Sequence, residues 1–89
     1  MARHKHPKVI VRKLGKEKAW GQYHEVDNII EVDERLRGKH KIEIFVHERT
    51  HCHFKQMSEE DVTRFASVMA DFLWKHGVRF VDNHRPCPT

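Results

Sequence analysis

His47-Glu48-Arg49-Thr50-His51 is the one stretch of this chain whose residue types and spacing together suggest chemistry. On a helix, residues four apart lie one turn apart on the same face, so two imidazoles can meet a single zinc ion. The glutamate beside the first histidine can then reach a metal-bound water. Zinc lowers the pKa of that water from about 15.7 to about 7, and a neighbouring carboxylate can take its proton as it attacks a carbonyl. With nine histidines and eight glutamates in 89 residues, composition alone would produce the pattern about 0.1 times per chain, so its surroundings must carry weight.

A catalytic zinc usually has three protein ligands and one open position. Ser58-Glu59-Glu60-Asp61 follows shortly after the histidines and offers the third. Periodicity does not settle which acid ligates. Glu60 ranks first for its reach, Asp61 shares the inward face expected for Phe65, and Glu59 pairs with Val62. At least two of the three are expected to be ordinary first-turn acids favoured by the helix dipole.

These residues need elements to hold them. Lys8 to Leu14 is a short β-branched run and reads as a strand, as does Trp20 to Val26. Asp27-Asn28 marks a turn, and Ile29 to Asp33 reads as a third strand. From Lys39 to His53 the period changes: Ile42, Phe45, Val46 and then Arg49 or Thr50 recur at three and four residues, as on a helix. A second helix is expected over 58–76. It opens on a capping Ser58, carries an apolar stripe of Val62, Phe65, Ala66, Met69, Phe72 and Leu73, and stops at Gly77. Val78 to Val81 could add a short extended piece. The expected fold is a single α+β domain, a small antiparallel three-stranded meander over 8–33 with two helices packed on one face. A basic arm (1–7) precedes it and an irregular tail (83–89) follows.

The stretch from about Ile29 to Arg79 resembles the very small zincin-like metallopeptidases of phages and bacteria, on the gluzincin side of that group. The shared parts are Ile29-Ile30-Glu31-Val32-Asp33, Val46-His47-Glu48-Arg49-Thr50-His51, Ser58-Glu59-Glu60-Asp61-Val62 and Phe72-Leu73-Trp74. The resemblance implies a minimal zincin-like core with Zn2+ at His47 and His51, a third ligand at Glu60, and Glu48 as general base. It also implies a peptide or protein substrate lying along an edge strand beside the site helix, for which Tyr23 and His24 are the candidate positions. Cys52 departs from the family pattern, where a small residue commonly follows the second histidine.

Composition narrows the alternatives. No apolar run approaches the roughly 18–20 residues of a membrane span, and the basic start has no signal-like apolar stretch, so a cytoplasmic protein is expected, in the host cytoplasm if phage-encoded. Two cysteines, Cys52 and Cys87, do not make a disulfide scaffold. The net charge of +4 is uneven. Residues 1–20 hold seven basic groups and one acid, and residues 21–89 hold ten and twelve. A basic arm can contact nucleic acid, which makes a phage-type nucleic-acid-binding protein one rival reading. The acidic balance of the remainder and the lack of a helix-turn-helix pattern argue against it. A second rival keeps the zinc as a staple of a small binding protein without catalysis. His4, His6, His40, His53 and His76 are read as exposed or adventitious, and Trp20 and Trp74 as packing residues.

Overall fold

The structure, a computed structural model, describes residues 6–15 and 20–81. Three strands, β1 (Lys8–Arg12), β2 (Gly21–His24) and β3 (Ile29–Asp33), precede two helices, α1 (Gly38–His53) and α2 (Glu59–Lys75). The α+β class is as expected, but the sheet is mixed and not a meander. Its order is β1-β3-β2, with β3 antiparallel to β2 and parallel to β1.

The strands differ in how deeply they are buried. β3 carries Ile29, Ile30 and Val32 and is buried over almost its whole length, whereas β1 is largely exposed. The centre of a small sheet is its driest position, and β3 takes it. Arg12 pairs with Asp33 and Gly21 with Val32, so β1 ends and β2 begins at the same end of the sheet. Asp33 secures that end: its Oδ2 accepts from Leu14 N (3.2 Å) and its backbone N donates to Trp20 O (2.8 Å). β2 and β3 are joined through a turn in which Asn28 takes φ 54°, a left-handed conformation that Asn tolerates. Tyr23 Oη donates to Asn28 Oδ1 at 3.1 Å.

The core under the sheet is Ile30, Val32 and Leu36, with Tyr23, Ile44 and Phe45 packed against it. α1 supplies the helix–sheet contacts, against β2 and β3, and α2 packs on α1. α1 comes closest to the sheet at Gly21. A Cβ there would lie 2.8 Å from Ile44 Cγ2 and 3.2 Å from Glu48 Cγ, so the absence of a side chain lets the site helix seat on β2.

α2 begins as its sequence suggests, with Ser58 Oγ accepting from Asp61 N at 3.1 Å. Its buried strip differs from the expected stripe. Val62, Ala66 and Ala70 are buried, while Phe65 and Phe72 stay 43% and 55% exposed. α2 has one neighbouring element, so only a narrow strip is covered, and small alanines on that strip let the two helices approach closely. Val78 to Val81 forms no strand; Phe80 instead stacks on Phe45 of α1 with centroids 4.7 Å apart. Most of the basic arm, the tail and Cys87 lie outside the described residues. Among those described, no helix is long and apolar enough to cross a membrane.

Candidate metal centre

His47 and His51 stand one turn apart on α1, their rings 4.9 Å apart. The chain then turns back: Phe54 N donates to Thr50 O (2.8 Å) and Met57 N to Phe54 O (3.1 Å), which brings the first turn of α2 to the histidines. Glu59, the first residue of α2, meets both. Its Oε2 lies 3.2 Å from His47 Nε2 and its Oε1 lies 2.8 Å from His51 Nε2.

These three groups could hold a metal ion, since one ligand atom from each lies within 4.8 Å of the others. The donor chemistry fits as well. Tetrahedral zinc with bonds of about 2.1 Å separates its ligand atoms by roughly 3.4 Å, and the two Glu59 distances are close to that edge. Two neutral nitrogens and one carboxylate also form a set known to leave a fourth position open.

Glu60, the acid ranked first from the sequence, is not part of this group. It is 83% exposed at its side chain and lies 3.7 Å from Arg64. Asp61 also turns to Arg64, at 3.2 Å. The cause is the rotation of α2. Glu59 lies three residues before Val62, which is fully buried against α1, so it shares the inward face. Asp61 shares its face with Phe65, which the fold leaves half exposed.

Glu48 occupies the α1 face between the metal group and the sheet. It is only 7% exposed, with its Cγ beneath Gly21. Burial pushes its carboxyl from 4.5 up to about 7; His51 pulls in the opposite direction, and Glu59 adds to the rise. Glu48 and His51 open into one cleft of about 250 Å³, whose other walls are Tyr23, Glu25 and Lys55. Lys55 Nζ lies 3.4 Å from Glu25 Oε2 and 6.0 Å from the centre of the Tyr23 ring. Cys52 and burial push the Tyr23 hydroxyl up to about 12, so it stays protonated across the neutral range.

Sequence reasoning passed over Glu25 and Lys55. They sit in connections, where no periodicity marks a residue as facing a site. Cys52 is buried, with its Sγ 3.7 Å from Asn28 Oδ1, and is not among the metal-holding atoms. His24 faces Glu31 (3.1 Å). His40 stacks edge-on with Trp20, His53 with Phe54, and His76 lies against Phe72. His4 lies outside the described residues. No protein-family model, curated protein or solved structure matches this chain.

Proposed function

We propose that the protein is a small zinc-dependent hydrolase of the metallopeptidase type, acting on peptide or protein substrates in the cytoplasm. The observation that carries the reading is the convergence of His47, His51 and Glu59, one of which, His51, also lines a cleft with a buried carboxyl, Glu48. A structural metal site has no need of such a group; a hydrolytic one does. When bound, zinc supplies Lewis-acid polarisation of a carbonyl and a water acidic enough to ionise near neutrality.

The protein's own residues do the rest. Glu48 is the proton carrier: its carboxylate takes a proton from the attacking water and returns it to the leaving amine. A carboxyl that titrates near neutrality suits both halves of that role. Tyr23 and the Lys55–Glu25 ion pair line the rest of the cleft, which gives it the polar walls a peptide backbone would meet.

One observation favours a second reading. The three candidate ligands join the last two turns of α1 to the first turn of α2, where a metal would also staple a small domain. The two readings separate on Glu48. Elemental analysis of the purified protein should find one zinc per chain, lost in a His47→Ala/His51→Ala variant. Incubation with a peptide mixture, followed by mass spectrometry, should show cleavage that is lost in Glu48→Gln while zinc is kept. Zinc without cleavage in the native protein leaves the staple, and no zinc removes both readings.

A further inference from the structure

The opposite side of α1 holds a second candidate site. Phe45, Val46 and Arg49 project away from the His47–His51 face, as their positions around the helix require. With Val9, Ile30 and His6 they line a cavity of about 510 Å³, within the roughly 300–1,000 Å³ range of small-ligand pockets. None of its lining residues belongs to the metal group. Its walls are mostly hydrocarbon; the polar side chains on them are His6, Arg49 and Thr50, whose hydroxyl already donates to Val46 O. Arg49 Nη1 is buried and has no hydrogen-bond partner. Nη2 lies 3.4 Å from His6 Nδ1, a long contact. No carboxylate among the described residues pairs with Arg49.

An arginine cannot shed its charge, and a buried charged donor left unmet is costly. The accessible edge of its guanidinium, at Nη2 beside His6, can donate a charge-assisted hydrogen bond to a carboxylate. We propose that this cavity binds a small organic carboxylate, with its apolar body between Val9, Ile30 and Val46 and its head group on Arg49. This site is independent of the metal centre and of the hydrolase reading.

The test uses the intact protein and three probes of equal length: sodium hexanoate, 1-hexanol and hexylamine. Methyl NMR titration should show hexanoate shifting Val9, Ile30 and Val46 saturably. 1-Hexanol should bind about tenfold more weakly, the loss of a charge-assisted pair worth about 1.4 kcal/mol, and hexylamine should not bind. Arg49→Gln should abolish the preference for hexanoate over hexanol, and Arg49→Lys should restore part of it. His47→Ala/His51→Ala should leave hexanoate affinity unchanged. Equal affinity for hexanoate and hexanol overturns the proposal. So does the absence of saturable hexanoate shifts, the result expected if the cavity is closed in solution. Both comparisons are made on the native chain, so they stand even if the Arg49 variants do not fold.

Discussion

Replacing Glu48 by glutamine removes one buried charge and almost no volume. Its effect on stability can therefore be worked from the environment of the carboxyl. In the metal-free protein that group is raised from 4.5 to about 7. A carboxyl whose folded pKa lies above its unfolded value stabilises the fold while protonated. That contribution is present below pH 4.5 and is lost as pH rises through about 7. At 1.36 kcal/mol per pKa unit, the carboxylate costs the native protein roughly 3 kcal/mol at pH 8. Relaxation and water at the cleft reduce this to about 2 kcal/mol. Glu48→Gln should therefore raise the melting temperature by about 10 °C at pH 8 in a chelating buffer. The gain should shrink steadily as the pH is lowered from 7 to 4.5. Zinc should also narrow it, because a cation at the histidines favours the ionised carboxylate. In the same variant, hydrolysis should be lost. Circular dichroism melts of both proteins across pH, with and without chelator, measure the effect. An unchanged melting temperature at pH 8, or a gain independent of pH, would refute the argument that Glu48 is held at a cost for its chemistry.

Three further outcomes follow from the geometry. Glu59→Gln should weaken zinc binding at least about tenfold, whereas Glu60→Gln should leave it within about twofold, as read by competition with a chromogenic chelator. Gly21→Ala should destabilise the fold by roughly 1–3 kcal/mol in urea unfolding, because the new methyl meets Ile44 and Glu48 of α1. Acid should destabilise the sheet through Glu31, which accepts from Arg12 (2.7 Å) and Gln22 (2.8 Å), faces His24, and is held near pH 2 mainly by Arg12. Its contribution is full above about 4.5 and lost as pH falls toward about 2. Glu31→Gln should flatten the stability profile in that window, leaving the deeper acid limit to Asp33, which Arg35 holds lower still.

Local signals carried the elements. β-branched runs marked β1 and β3, Trp20, Tyr23 and Val26 marked β2, the change of period at Lys39 marked α1, and Ser58 with its acids marked the start of α2. Neighbour order was not legible, because a strand's own residues say how dry it must be but not which strand lies beside it. β1 and β3 each carry three apolar residues in five, so composition did not mark β3 as the central strand. The α2 stripe misled for a related reason. Periodicity counts every apolar residue on a face, while burial depends on how many neighbours the helix has, and α2 has α1 alone. Phe65 and Phe72 therefore stay half exposed although they obey the pattern.

The same rotation decides which acid faces the two histidines. His47, Glu48 and His51 were fixed relative to one another by the geometry of a single helix, so their spacing was enough to place them. Glu59 belongs to a different helix, and its approach depends on how α2 docks. One clue was present: Glu59 lies one turn before Val62, and the first fully buried residue of a docked helix defines its inward face. Ranking Glu60 on side-chain reach gave length priority over direction. In a first turn only one of three successive acids can face the partner helix. The other two find Arg64, on the solvent side, at 3.7 and 3.2 Å. The acid patch therefore divides its roles: Glu59 faces the histidines, while Glu60 and Asp61 complement the helix dipole. A zinc ion bound by all three ligands would join the end of α1 to the start of α2 and fix the docking that creates its own site. Metal affinity and helix–helix packing should accordingly fall together when the buried Ala66 or Ala70 is enlarged to leucine.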